Sequence, residues 1–139
     1  HPYVSRPYPK STGRELFSRS WLQGRLKGNE KPEDVIRTLV FYTAQTIFDA
    51  TKQAAPAIHH LYICGGGIRN PVLMQDLETL FSPDTKLHST AKLHLDPQWV
   101  EAAAFAWLAA CWCNQVPSNP HHATGAHSHR ILGSGHYGN

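Results

Sequence analysis

Twelve residues near the middle of the chain, His60-Leu61-Tyr62-Ile63-Cys64-Gly65-Gly66-Gly67-Ile68-Arg69-Asn70-Pro71, restrict the fold more than any other stretch. Leu61 to Cys64 form a short apolar run of strand formers bounded by glycine, which predicts a buried strand. Asn70 suits a helix N-cap and Pro71 the first helical position, where a missing N–H costs nothing. Val72, Leu73, Met74, Leu77, Leu80 and Phe81 then recur at helical spacing. A strand that enters a helix through glycines lets a ligand approach bare main chain, and the helix start adds N–H donors and a partial positive charge. The same pattern also serves as a tight turn with no ligand at all. It lacks the spacing of a dinucleotide fingerprint and the Gly-Lys-Ser/Thr ending of a phosphate loop. A nucleotide bound here would present its adenosine end, because no Lys or Ser/Thr follows the turn.

Around this stretch the spacing predicts an α/β fold with a small, mostly parallel sheet flanked by about four helices. Pro83 and Asp84 end the helix, and Lys86 to Thr90 reads as a second strand. Strand, helix and strand of this length make a right-handed crossover, whose ligands sit beyond the strand C-termini, where Gly65 to Gly67 lie. Upstream, Pro32 with Glu33 and Asp34 starts a helix that runs to about Gln53, with a broad apolar face made of Val35, Ile36, Leu39, Val40, Ala44, Ile47 and Phe48. Thr12 and Glu15 have capping-box spacing, so another helix is expected from Gly13, with Leu16, Phe17, Trp21, Leu22 and Leu26 on its apolar face. Lys10, Ser11, Thr12 and Gly13 are either its entry or a loop that faces an oxyanion or sugar. Pro2, Pro7 and Pro9 predict an extended, irregular start over His1 to Lys10.

Downstream, Ala91 to Leu95 reads as a loop, and Asp96 with Pro97 caps a well-packed, alanine-rich helix that runs through Cys113. Glu101 in its first turn is either a partner of the helix dipole or a side chain aimed into a cleft. From Asn114 the composition shifts to Pro, Gly, His and Ser, an irregular return segment to which Ile131 and Leu132 add one short strand. His121, His122, His127 and His129 resemble a metal cluster, yet no cysteine spacing accompanies them, so no metal site is assigned.

Composition narrows the function. The net charge of +3 is spread along the chain and leaves no nucleic-acid footprint. Three cysteines cannot all pair, which fits a reducing, cytoplasmic setting better than a disulfide framework. No apolar run is long enough to span a bilayer, and no signal-peptide core stands at the start. The length suits one domain, and the opening at His1, with Met74 the only methionine, points to a piece of a longer protein.

Four blocks in order carry a resemblance: Pro9-Lys10-Ser11-Thr12-Gly13-Arg14-Glu15 with Phe17 and Trp21-Leu22; Cys64-Gly65-Gly66-Gly67 with Asn70-Pro71 and Leu73-Met74; Asp96-Pro97-Gln98-Trp99-Val100-Glu101-Ala102 with Ala104 to Leu108; and Pro117-Ser118-Asn119 with Thr124-Gly125-Ala126 and Ile131-Leu132-Gly133. Together they resemble the C-terminal portion of anhydro-N-acetylmuramic acid kinases over nearly the whole chain. The resemblance implies the C-terminal lobe of an actin-like ATPase (ribonuclease H-like) fold, spanning residues 1–139 with 114–139 as the return segment. It also implies an enzyme that uses ATP, with Mg, to open the ring of 1,6-anhydro-N-acetylmuramic acid and phosphorylate it. By that resemblance Gly65, Gly66, Gly67 and Asn70 bind the adenosine side of the nucleotide. Glu101 positions sugar or water, and Lys10, Ser11, Thr12 and Gly13 border the cleft. The family's phosphate loop and catalytic aspartate belong to an absent N-terminal lobe, so no catalytic residue is expected in this chain. The partners implied are ATP, the anhydro amino sugar and the missing lobe, with a homodimer left open. Ser118 and His121 depart from the family's usual glycine and proline. A non-catalytic interaction module derived from the same lobe remains the alternative reading.

Overall fold

The computed structural model of the chain describes residues 1–7, 10 and 12–136. These fall into two compact units, Arg19–Val100 and a second built from His1–Ser18 with Glu101–Asn139.

The first unit contains the helices α1 (Arg19–Gln23), α2 (Pro32–Ala54) and α3 (Pro71–Phe81), and the strands β1 (His60–Ile63) and β2 (Lys86–Ser89). Pro32 opens α2 at its first position, and Glu33 and Asp34 meet the positive end of its dipole. Asn70 caps α3 as its spacing requires: Oδ1 accepts from the N–H groups of Val72 and Leu73 at 3.1 and 3.2 Å. β1 and β2 pair in parallel, in the register His60 with Lys86 through Ile63 with Ser89. The pairing is set up just before the strands, where the Lys86 N–H donates to the His59 carbonyl and the buried Thr85 hydroxyl to that of Ile58.

The core lies between α2, α3 and one face of the sheet. Ala44, Leu77 and Phe81 are fully covered, with Phe48, Leu61, Ile63, Leu73, Met74, Leu80 and Leu87 around them. Phe48 meets Phe81 edge-on at 5.0 Å, a favoured aromatic geometry. The expected buried strand is half-buried instead. Leu61 and Ile63 face the core, while His60 and Tyr62 stay exposed, because α2 and α3 pack on the same side of the two-stranded sheet. The broad apolar face of α2 is likewise covered only in part, since Ile36, Phe41 and Ile47 remain exposed.

The second unit takes α4 (Val100–Cys113) beyond its first residue, together with α5 (His121–Thr124). The well-packed helix expected here is not observed. Only Cys111 of α4 is buried, and Phe105 and Trp107 are 71% and 57% exposed. Asp96 does cap, accepting from the Gln98 N–H at 2.8 Å, but residues 97–99 form a turn and helix begins only at Val100. A four-residue 3-10 turn, Thr90–Leu93, stands where a loop was expected, and His94 in the left-handed region (φ 59°) ends it.

Other differences have local causes. No helix starts at Gly13. The Glu15 carboxylate accepts from the Gly13 N–H two residues back, instead of the Thr12 N–H three residues back, and so closes a turn. Helix α1 therefore waits until Arg19. Over residues 1–7 two successive turns replace the extended start, Val4 N–H to His1 carbonyl and Arg6 N–H to Tyr3 carbonyl, with Pro2 at a favoured turn position. Pro9 lies outside the described residues. Ile131 and Leu132 form no strand: Arg130 pairs with Ser118 and Asn119, and the chain beyond it runs beside Trp112.

Candidate functional site

The glycine turn leaves β1 at the C-terminal edge of the sheet, next to the turn that leaves β2. Gly65 takes φ 79°, a left-handed conformation that favours glycine, and Gly66–Arg69 follows as a 3-10 turn. The Gly65 N–H donates to the Pro97 carbonyl at 2.8 Å. That bond ties the glycine turn to the Asp96–Trp99 turn, and no local signal in the sequence announces it.

The space around the glycines is the informative feature. A Cβ added at Gly65 or Gly66 meets nothing within 4 Å, and one at Gly67 meets only Leu73 Cδ2 at 3.4 Å. Among the described residues, neither packing nor a left-handed backbone requires glycine at position 66. The main chain here is bare and open.

The start of α3 is less available. Asn70 occupies two of its N–H groups, so the oxyanion-binding end expected of this helix is closed by the chain's own side chain. What remains is an open floor of main chain, suited to a flat ring or sugar more than to phosphate oxygens.

The other candidate residues belong to the second unit. Glu101 is exposed in the first turn of α4 and has no hydrogen-bond or ion-pair partner among the described residues. Lys10 donates from Nζ to the Val4 carbonyl at 2.7 Å and lies over the Tyr3 ring. Thr12 donates to the Gly13 carbonyl at 3.4 Å, and the Glu15 carboxylate fills the space beside Gly13. This loop is thus engaged with itself. Ser11 lies outside the described residues. The structure keeps Gly65 to Gly67 and Asn70 in one unit and Lys10, Thr12, Gly13 and Glu101 in the other.

In the histidine-rich segment, the His121 ring lies tilted against His122 and edge-on to His129, at 3.7 and 4.0 Å between ring centroids. Partial burial, then the charges of His122 and His129, lower the His121 pKa from the ordinary imidazole value. Among the described residues no group of three or more His, Cys, Asp or Glu is arranged to hold a metal ion. No helix among them is long and apolar enough to cross a membrane. Sequence reasoning missed two arrangements. One is the Arg37–Asp76 pair between α2 and α3, with two bonds of 2.7 Å. The other is a hydrogen-bonded chain of Lys92, His88 and His60 on the outer face of the sheet.

Comparison with known proteins gives the family. Residues 1–138 match the family model described as anhydro-N-acetylmuramic acid kinase. A protein of that name from Neisseria meningitidis serogroup C / serotype 2a is 63% identical over 137 residues, 99% of this chain and 37% of its own length. Others so named, from Idiomarina loihiensis and Pseudomonas syringae pv. syringae, are 47% and 48% identical; the matches cover 96% and 91% of this chain and 36% and 35% of theirs. The chain thus spans little more than a third of the length of these curated relatives. With its family model matched almost from end to end, this chain belongs to the anhydro-N-acetylmuramic acid kinase family.

Proposed function

We propose that this chain is the C-terminal, nucleotide-binding lobe of a two-lobed cytoplasmic kinase with the actin-like (ribonuclease H-like) fold, in which residues 114–139 form the irregular return segment. The whole protein uses ATP and water to open the anhydro ring of 1,6-anhydro-N-acetylmuramic acid and transfers phosphate to it. The product is N-acetylmuramic acid 6-phosphate, in the recycling of cell-wall sugar. The observation that carries this reading is the open space at Gly66, where no contact among the described residues gives a reason for glycine.

In this reading Gly65, Gly66 and Gly67 form the floor under adenine and ribose. Asn70 holds the start of α3 in its own cap, so the phosphates point away from it, toward the remainder of the protein. Glu101, exposed at the start of α4 and without a side-chain partner among the described residues, orients sugar or water. Lys10, Ser11, Thr12 and Gly13 border the cleft. When bound, magnesium neutralises phosphate charge during transfer. No group of residues in this chain is assigned to hold it, because no set of ligands converges among the described residues. The remaining lobe supplies the phosphate loop, the metal ligands and the catalytic carboxylate. The isolated chain is therefore expected to transfer no phosphate to the anhydro sugar above a control without protein.

The test uses the protein encoded by the full reading frame. It should phosphorylate the anhydro sugar with ATP, and Gly66→Val should weaken nucleotide binding by about tenfold or more, about 1.4 kcal/mol. The melting temperature should change little, since a Cβ at position 66 meets nothing within 4 Å among the described residues. Unchanged ATP affinity in that variant would remove the adenosine floor from this turn. Absence of phosphorylation by the full protein would favour the interaction module.

A further inference from the structure

The outer face of the sheet carries a cluster that the kinase reading does not use. His88 on β2 lies diagonally across from His60 on β1 and beside Tyr62, its register partner. His60 Nδ1 is 3.0 Å from His88 Nε2, and Lys92 Nζ is 2.9 Å from His88 Nδ1. The two imidazoles stack at 5.2 Å, and the Tyr62 ring is 5.3 Å from that of His88.

The chemistry of the three side chains fixes the protons. An ammonium can only donate, so His88 Nδ1 accepts from Lys92. The His88 proton then sits on Nε2 and is donated to His60 Nδ1. The His60 proton is left on Nε2. The chain is internally satisfied only while both rings are neutral. A second proton on His88 opposes the Lys92 donor, and one on His60 opposes the His88 donor. Either proton breaks an internal bond and leaves N–H groups without an acceptor.

Among the described residues no carboxylate offsets this. Among the described residues neither Lys86 nor Lys92 has an ion-pair partner, and the one salt bridge found there, Arg37–Asp76, joins the two helices. Partial burial, then the charges of Lys92, His60 and Lys86, push the His88 imidazole below its ordinary value. Those charged groups lie on β1, on β2 and in the turn after β2, and Tyr62 is a further titratable neighbour.

We propose that His60, His88 and Lys92 form a proton-linked binding site for a phosphate-type anion on the outer face of the β1–β2 sheet. The anion accepts the donors that protonation releases, and supplies the negative charge that the face lacks. Several acceptor oxygens suit a phosphate better than a single carboxylate, because Lys92 and the two rings donate from different directions. By linkage, anion binding and proton uptake favour each other. The site is separate from the glycine turn and does not depend on kinase activity.

The test uses the protein of the full reading frame with labelled histidine, whose ring signals are followed as inorganic phosphate replaces chloride at constant ionic strength. Near pH 6 the His60 and His88 signals should move with phosphate, and the lowered His88 pKa should rise. Near pH 8 the affinity should be at least about tenfold weaker, as expected for a site that needs an imidazole protonated. His88→Gln and, independently, Lys92→Met should abolish the effect; if one variant fails to fold, the other still decides.

Thermal unfolding gives a second readout. The folded state holds the His88 pKa down, so the unfolded chain takes the proton first, and this contribution to stability is lost as pH falls through the imidazole range. Phosphate should restore part of that loss in the parent protein but not in His88→Gln. A parallel titration with a hexose 6-phosphate identifies the source, because tighter binding than inorganic phosphate assigns the site to a phosphate ester and weaker binding to the free anion. Histidine signals indifferent to both, or equally responsive in His88→Gln, would overturn the proposal.

Discussion

Ser118 shows how a single side chain can sit against its surroundings. It is 8% exposed, its N–H donates to the Arg130 carbonyl, and its hydroxyl has no partner among the described residues. A buried hydroxyl without a hydrogen bond costs about 1–3 kcal/mol relative to a paired one. Related kinases are expected to carry glycine here, which avoids that cost. Ser118→Ala should therefore raise stability by about 1 kcal/mol, read as a higher denaturation midpoint with an unchanged denaturant slope. A loss of stability would mean that the hydroxyl is paired in solution. A second residue-scale test uses the thiols. Cys64 is exposed immediately before the glycine turn, and Cys113 is exposed at the end of α4. With ATP over Gly65 to Gly67, alkylation of Cys64 in the full protein should slow severalfold while Cys113 reacts at its former rate. Equal rates with and without ATP would place the nucleotide elsewhere.

Elements α2 and α3 are joined by apolar packing and by one polar clasp. Arg37 grips Asp76 through both guanidinium nitrogens; the Asp76 side chain is 10% exposed and that of Arg37 51%. Two parallel charge-assisted bonds to a covered carboxylate are worth more than a surface pair, but the open arginine side weakens them. Arg37→Ala should cost about 1–2 kcal/mol, because it strands the carboxylate. Replacing both residues, with Arg37→Met and Asp76→Leu, should recover part of that loss. A single variant as stable as the parent would show the clasp to be idle. The elements themselves were legible wherever the signal was local. Pro32 with two acids starts α2, Asn70-Pro71 starts α3, a short apolar run marks β1, and β2 follows the break at Pro83 and Asp84. Where a choice depended on a distant partner, the reading failed or was silent. Glu15 could reach Thr12 or Gly13, and spacing does not decide which. Ile131 and Leu132 have strand character but no strand to pair with. The Gly65–Pro97 bond spans 32 residues, and the His60–His88 contact exists only because the parallel register sets them diagonally. The bare glycine turn was legible as a candidate site, whereas the Asn70 cap that closes its anion-binding end needed coordinates.

For the chain taken whole, the apolar surface left uncovered is the main physical problem. Ile36, Phe41 and Ile47 on α2, and Phe105 and Trp107 on α4, face outward, while the buried cluster has only Ala44, Leu77 and Phe81 at its centre. Full burial of one large apolar side chain is worth about 1.5–3 kcal/mol, so several such residues left in water forgo an amount comparable with the stability of a small domain. Curated relatives carry nearly two-thirds of their length outside the part matched here, enough chain to cover these faces. The isolated chain should therefore bind an apolar dye strongly and associate as its concentration rises. The protein of the full reading frame should do neither to the same degree. Charged replacements on the exposed helix faces separate the two causes of such behaviour. In the isolated chain, Phe105→Glu with Trp107→Lys should reduce both dye binding and association, because they remove exposed apolar surface without touching the core. In the full protein the same pair should destabilise, because there the surface is buried against the remaining chain. If the pair leaves the full protein's melting temperature unchanged, α4 faces solvent in the complete enzyme too, and its aromatic side chains belong to a contact with another molecule.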